Sequence, residues 1–131
     1  MPEQDTPTTI DTHSGPFLFQ THAAALAARM RAAHPPWAVV DARDAAAFAR
    51  GRIPGAVRVD GRDLGALPKG AEGAAEIFVV GAGPNDASRR RLALALVGLG
   101  VRRVTELPGG MAEWEQLGLP VEKGEPGERG A

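Results

Sequence analysis

The residues best suited to chemistry form a glycine-containing loop between an apolar run and a helical pattern. The apolar run covers residues 77–80, and the helical pattern begins near residue 89. The loop between them contains Gly81, Ala82, Gly83, Pro84, Asn85, Asp86, Ala87 and Ser88. Glycines adopt backbone angles that other residues avoid, and a loop that leads into a helix N-terminus presents unpaired N–H groups to an anion. The sequence therefore indicates a ligand-binding loop for a small oxyanion.

Two features of this loop favour a structural role instead. Pro84 has no backbone N–H, and Asp86 brings a carboxylate close to the N–H groups that would bind an anion. Either Asp86 or Asn85 is also suited to cap the following helix. Capping and ligand contact therefore stay open as two interpretations of residues 81–88.

The absence of cysteine excludes several kinds of catalysis. The chain has 131 residues and 0 Cys, so it has no disulfide, no thiolate metal ligand and no sulfur nucleophile. Ser88 could replace such a nucleophile only with an adjacent base, and none is apparent, since the histidines at positions 13, 22 and 34 are expected in the N-terminal segment, at a helix start and near a helix end. We therefore predict no catalytic residue, no metal site and no cofactor. A dinucleotide is disfavoured as well, because Asp86 stands where the third glycine of G-x-G-x-x-G is required.

Composition and charge are those of an ordinary single domain. Lys and Arg number 15 against 16 Asp and Glu, and the formal charge of −1 provides no general attraction for nucleic acid or anionic lipid. Residues 1–16 lack a basic start and an apolar run, and residues 122–131 lack a large apolar anchor. We predict a disordered N-terminal segment at 1–16, one domain at 17–121 and a flexible tail at 122–131. We also predict a cytoplasmic location, with no nucleic-acid or membrane partner.

The pattern of apolar residues predicts an α/β fold. Residues 37–40 and 77–80 are continuously apolar, as expected for parallel strands covered on both faces. Shorter strands are predicted at 17–19, 57–59 and 103–107. Helical stripes are predicted at 23–30, with Thr21 as the N-cap, at 92–99 and at 111–117. The result is a sheet of about five mostly parallel strands with helices on both faces, which would bind ligands beyond the carboxyl ends of its strands.

Four motifs occur in an order that resembles a known family. They are Asp41 to Arg43 after the first central strand, the turn GRIPGA at 51–56, the segment LPGGMAEW at 107–114 and the ending GLPV at 118–121. Their order and spacing resemble a rhodanese-like (sulfurtransferase) domain over about residues 37–122, with Arg52 in the place of that family's usual histidine. Phe48 corresponds to the aromatic residue of that family's helix after the first motif. The resemblance implies a single rhodanese-like domain.

The resemblance also locates the residue that would carry the family's chemistry. In that family the strand equivalent to 77–80 ends in a cysteine that accepts and passes on sulfur, and Gly81 occupies this position here. The resemblance therefore implies a catalytically inactive domain that serves as a binding or regulatory module for a protein partner or a small oxyanion. Two alternatives stay open: a sulfurtransferase-related or small-oxyanion enzyme that works without a cysteine nucleophile, and a structural or dimerising domain. If the loop amides still point inward, a cysteine introduced at position 81 should have a lowered pKa.

Arginines near the loop are the candidate anion contacts. Arg43 follows a buried strand and Arg89 opens the helix after the loop, so either could reach an anion bound at 81–88. The structural alternative pairs Arg43 with Asp41 through charged hydrogen bonds. The arginine run at 89–91 could attract a polyanion or an acidic partner, but successive helix positions point in different directions, which favours a solvated face. Arg52 is expected either to hold its turn or to be exposed.

Overall fold

The described part of the chain forms a parallel sheet. The computed structural model describes residues 17–32 and 37–124. Its strands are β1 Leu18–Gln20, β2 Trp37–Asp41, β3 Val57–Arg58, β4 Glu76–Val80 and β5 Val104–Leu107. They lie in the order β1-β5-β4-β2-β3, and each neighbouring pair is parallel. The predicted α/β class and five-stranded, mostly parallel sheet are confirmed.

Within residues 17–32 and 37–124, four helices cover the two faces of this sheet. They are α1 Ala23–Ala32, α2 Ala45–Arg50, α3 Ala87–Gly98 and α4 Gly110–Gln116. Side chains alternate along β4, so Ile77 and Val79 pack with Leu92 of α3, while Phe78 and Val80 lie in the opposite cluster with α4. Burial of both faces explains the unbroken apolar run at 77–80. None of the described helices is long and apolar enough to cross a membrane.

Polar side chains fix the starts of two helices. The side chain of His22 caps α1, since its Nδ1 accepts a hydrogen bond from Ala25 N at 3.3 Å. The predicted N-cap, Thr21, is therefore wrong by one residue, and its own N–H instead donates to the backbone of β5. Asp44 caps the short helix α2, because its Oδ1 accepts from Ala47 N at 2.8 Å. This cap holds α2 at the carboxyl end of β2.

The folded domain continues past the predicted boundary at Val121. Arg52 and Glu122 form an antiparallel bridge, in which each backbone N–H donates to the other residue's carbonyl oxygen at 3.0 and 2.9 Å. Gly124 N donates to Ala49 O at 2.8 Å. Residues 122–124, predicted as the start of a flexible tail, therefore belong to the domain. The segments 1–16 and 125–131, with the rest of the predicted disorder, lie outside the described residues.

Arg52 links the turn at 51–56 to this C-terminal segment. The residue is 3% exposed, and its guanidinium carbon lies 4.5 Å from the centroid of the Phe48 ring. Its Nη1 donates to Phe48 O at 3.1 Å and to Gly124 O at 2.7 Å. Of the two expected roles, Arg52 therefore has the structural one, since it is buried and holds three parts of the chain together.

Candidate functional site

A cavity opens at the carboxyl edge of the sheet, where the connections after β2, β3 and β4 meet. Its volume is about 420 Å³. The β2–α2 connection contributes residues between 42 and 47, and the segment after β3 contributes residues between 58 and 62. The third wall comes from the loop at 81–88 and the first turn of α3, through Ala82, Asp86, Ser88 and Arg91. Parallel sheets bind ligands at this edge, so the cavity is the candidate site.

Helix α4 forms hydrogen bonds to the start of the predicted ligand-binding loop. Met111 N donates to Gly81 O and Ala112 N donates to Ala82 O, both at 2.9 Å. Gly110 makes this approach possible, because a Cβ built on it would lie 2.6 Å from Gly81 O, and its φ of +58° lies in the region that favours glycine. The carbonyl groups at the start of the loop therefore face α4, which fixes the loop's orientation towards the cavity.

The Asp86 carboxylate occupies the inner side of this loop. Its Oδ2 accepts from Ala82 N at 2.7 Å, and its Oδ1 accepts from Ser88 N at 2.9 Å. The second bond makes Asp86 the N-cap of α3, so the capping interpretation is confirmed for Asp86 and not for Asn85. Asn85 instead takes a left-handed turn with a φ of +64°, which asparagine tolerates better than most residues. Two N–H groups that could have bound an external anion thus already bind a carboxylate.

Gly81 lies directly against this carboxylate. A Cβ built on Gly81 would contact Asp86 Oδ2, and it would lie 2.9 Å from Asp86 Cγ and 3.1 Å from Arg89 Cβ. Any larger residue, including a cysteine, therefore requires Asp86 to move. Gly81 and Gly83 are buried, Asp86 and Ser88 are half-buried, and the other loop residues, Ala82, Pro84, Asn85 and Ala87, are exposed.

Arg43 forms the structural pair that the sequence suggested as one alternative. Its Nε and Nη2 donate to the two Asp41 carboxylate oxygens at 2.9 and 2.8 Å, and Nη2 also donates to Gly51 O at 2.7 Å. Asp41 is fully buried. A bidentate bond of this kind fixes the guanidinium in one orientation at the cavity wall. Arg43 lines the cavity while its charge is matched by Asp41.

The three consecutive arginines of α3 point in different directions, as expected, but they do not form a solvated face. Arg89 is 7% exposed, and its Nε donates to Glu106 Oε1 at 2.8 Å. Its Nη1 donates to Gly83 O at 3.2 Å, so its side chain binds the loop backbone and does not line the cavity. Arg90 donates to the other Glu106 oxygen at 2.9 Å. Only Arg91 of the three lines the cavity, and it is exposed.

Four charged residues of the structure, Glu106, Arg58, Asp60 and Arg62, are not among those predicted from the sequence. Glu106 is fully buried in β5, where the apolar pattern gave no sign of a carboxylate. The other three line the cavity after β3. The general rule that ligands bind beyond the carboxyl ends of strands was the signal that could have found them, had it been applied to β3 as well as to β4.

Asp60 and Arg62 form an exposed pair at the cavity. Arg62 Nη2 lies 3.3 Å from Asp60 Oδ2, with side-chain exposures of 71% and 46%, and Arg62 N donates to Asp60 Oδ1 at 3.0 Å. The hydrogen bond from the Arg62 side chain is the largest cause that lowers the pKa of the Asp60 carboxyl below its ordinary value, and the bond from the Arg62 backbone N–H is the second. The same side-chain bond raises the pKa of Arg62. Both groups are therefore charged at neutral pH.

Within residues 17–32 and 37–124, no histidine lies at the cavity beside Ser88. Ser88 lines the cavity, but His22, the histidine within the described residues, caps α1 and does not line it. Within residues 17–32 and 37–124, no group of three or more His, Asp or Glu is placed to hold a metal ion. A serine needs an adjacent base to act as a nucleophile, and His22 does not supply that base to Ser88.

Comparison with known proteins gives one family and several similar structures. The model of the rhodanese-like domain family matches residues 22–117. The chain is 28% identical to the rhodanese-like domain of the Anabaena sp. Alr3790 protein, with a TM-score of 0.67 and coverage of 89% of this chain and 86% of that chain. It is 27% identical to the BH2092 protein from Bacillus halodurans, with a TM-score of 0.68 and coverage of 82% and 77%.

A third solved structure shows likeness in fold alone. Thiosulfate sulfurtransferase from Pseudomonas aeruginosa is 24% identical, with a TM-score of 0.70, and the match covers 86% of this chain but 20% of that one. No curated protein sequence matches the chain.

Proposed function

This chain belongs to the rhodanese-like domain family, and we propose that it is a member without sulfur-transfer activity that acts as a binding or regulatory module. The family's reaction needs a thiolate that accepts sulfur as a persulfide and passes it on, whereas this chain has 0 Cys. The proposed ligand is a protein partner or a small oxyanion. The cytoplasmic location and the structural or dimerising alternative stay predictions.

The contact between Gly81 and Asp86 is the observation that carries this proposal. The Asp86 carboxylate accepts from Ala82 N at 2.7 Å and from Ser88 N at 2.9 Å, and it fills the space that a side chain at position 81 would need. Without Asp86, the exposed amide of Ala82 and the half-buried amide of Ser88 would be free to bind water or an anion. Here two N–H groups of the loop are paired without a substrate or a reactive sulfur.

The cavity beside the loop supports a binding role. Ala82, Asp86 and Ser88 of the predicted loop line it, together with Arg43, one of the two arginines predicted to contact an anion. Because the amides of Ala82 and Ser88 already bind Asp86, we propose that arginine side chains supply the attraction for an oxyanion. Attraction by exposed side chains is weak, so we expect affinity in the millimolar range for a small anion, roughly −4 kcal/mol.

A sulfur-transfer assay tests the noncatalytic part of the proposal. Purified protein is incubated with thiosulfate and cyanide, thiocyanate is measured, and a cysteine-containing rhodanese-like domain serves as the positive control. We expect no turnover above a buffer blank. Intact-mass measurement after incubation with thiosulfate should show an unchanged chain. Turnover well above the blank, or a sulfur adduct on any side chain, would refute the proposal.

A further inference from the structure

Most of the charged groups at the cavity have partners within the protein. Arg43 is matched by Asp41, and Arg62 is matched by Asp60. The other two lining carboxylates, those of Asp44 and Asp86, accept backbone N–H groups at the starts of α2 and α3. Helix N-termini carry a partial positive charge, so these two carboxylates are stabilised where they stand.

Two cavity arginines lack such a partner. Among the described residues, neither Arg58 nor Arg91 has a carboxylate within ion-pair distance. Arg58 Nη1 donates only to the carbonyl oxygen of Arg43, at 3.4 Å. Both side chains belong to exposed residues that line the cavity, so their remaining N–H donors face water or a ligand.

A close contact between two segments places Arg62 and Arg91 around the same cavity. The 3₁₀ turn Gly61–Asp63 packs directly on α3, where a Cβ built on Gly61 would lie 2.7 Å from Leu92 Cα. Arg62 follows Gly61 and Arg91 precedes Leu92, and both line the cavity. The turn and the helix therefore place two guanidinium groups on adjoining walls, with Arg58 on the same segment as the turn.

We propose that Arg58, Arg62 and Arg91 form a side-chain site for the phosphate group of a small phosphate monoester. Guanidinium groups match the oxygens of a phosphate dianion, and the two arginines without partners supply the two charges it needs. A volume of about 420 Å³ exceeds what a free phosphate ion fills and lies within the range of small-ligand pockets. The site differs from the loop amides, which Asp86 occupies. This inference rests on the proposed binding function.

Titrations followed by NMR test the site and the ligand class. Phenyl phosphate, inorganic phosphate and the monoanion dimethyl phosphate are added to ¹⁵N-labelled protein at pH 8, with sodium chloride keeping the ionic strength constant. We expect saturable shifts of the Nε–H signals of Arg58, Arg62 and Arg91. Phenyl phosphate should bind at least as tightly as inorganic phosphate, and dimethyl phosphate should bind more weakly than both. Tighter binding of inorganic phosphate than of phenyl phosphate would refute the monoester assignment.

Arginine variants show whether the side chains form the site. Arg58→Gln and Arg91→Gln should each weaken phenyl phosphate binding roughly three- to fivefold, while Arg62 is kept because its loss would free Asp60. Arg50→Gln removes an exposed arginine outside the cavity and should change the affinity less than twofold. Unchanged affinity in both cavity variants, absence of saturation, or shifts confined to the amides of 82–88 would overturn the site. None of these results bears on sulfur transfer, because the thiosulfate and cyanide assay tests the noncatalytic proposal independently.

Discussion

Replacing Gly81 by alanine should destabilise the protein, because the added methyl group would displace the Asp86 carboxylate. Gly81 does not have a positive φ, so its backbone conformation suits an L-residue. The obstacle is the carboxylate, whose Cγ would lie 2.9 Å from the new Cβ. The effect of the substitution therefore reports the packing of Asp86 inside the loop and not backbone strain.

The expected loss follows from the two hydrogen bonds that Asp86 accepts. An N-cap bond such as that from Ser88 N contributes about 1 kcal/mol, and the charged bond from Ala82 N contributes a similar amount. Gly81→Ala should therefore cost about 2 kcal/mol of unfolding free energy. For a domain of this size the loss corresponds to a decrease in Tm of roughly 10 °C.

A double-mutant cycle separates this contact from other effects. Asp86→Ala alone also removes both hydrogen bonds and should cost about 2 kcal/mol. With the carboxylate gone, adding the methyl group at position 81 should change stability by less than about 0.5 kcal/mol. Alanine lowers the conformational entropy of the unfolded chain, and this gain offsets the cost of the remaining close contact with Arg89 Cβ. The double variant should therefore lose about 2 kcal/mol instead of the additive sum of about 4 kcal/mol.

Urea unfolding with unchanged m-values measures each arm of the cycle. Gly83→Ala is the matched control, because its Cβ would meet Ala112 Cβ at 3.6 Å, an ordinary contact, and should cost less than about 1 kcal/mol. Additive losses for positions 81 and 86, or a Gly81→Ala cost no larger than that of the control, would refute the conclusion that Asp86 fills the space beside Gly81.

A cysteine in the same position extends the cycle to thiol ionisation. In Gly81→Cys the thiol displaces the Asp86 carboxylate but stays close to it, and repulsion between like charges should raise the thiol pKa above its ordinary value. In Gly81→Cys combined with Asp86→Ala this repulsion is removed and the N–H groups of Ala82 and Ser88 can stabilise a thiolate, so the thiol pKa should fall. The ultraviolet absorbance of the thiolate, followed as a function of pH, measures the thiol pKa of both variants. The opposite order would mean that the carboxylate does not control the loop.

Two further predictions concern charged pairs. Glu106→Gln should lower the free energy of unfolding by about 3 kcal/mol, because it leaves the buried Arg89 without its carboxylate. Arg90→Gln should cost clearly less, since the Arg90 side chain is 38% exposed. Equal losses of the two variants in urea unfolding would contradict this prediction. The pKa of Asp60, followed by NMR, should lie below its ordinary value and rise in Arg62→Ala. Because the folded pKa is lowered, the pair's contribution to stability is present above the ordinary aspartate pKa and is lost as pH falls through the lowered value. An Asp60 titration that Arg62→Ala leaves unchanged would argue against the pairing.

The sequence predicted the sheet well because a strand buried on both faces requires a continuous run of apolar residues. The central strand β4 and the helix α3 show this, since the run at 77–80 and the stripe containing Leu92 each pack into the core. The cap by Asp86 was also predictable, as one of two residues at the right place. These features depend on local residue types and spacing.

The remaining features depend on contacts between distant segments. Glu106 is fully buried in a strand only because Arg89 and Arg90 reach it from α3, and no local pattern records that pairing. The approach of Gly61 to Leu92 likewise depends on how the turn packs against the helix. The cavity arginines could therefore be named from the sequence as charged residues, but their placement around one cavity required the tertiary structure.

Gly81 and Asp86 are two parts of one packing arrangement. A residue without a side chain at position 81 leaves room for the carboxylate, and the carboxylate pairs the two amides that could otherwise bind an anion or a thiolate. The arrangement stabilises the loop in the absence of any ligand. We therefore propose that binding at the cavity depends on arginine side chains of the segment after β3 and of α3, and not on the loop amides that Asp86 occupies.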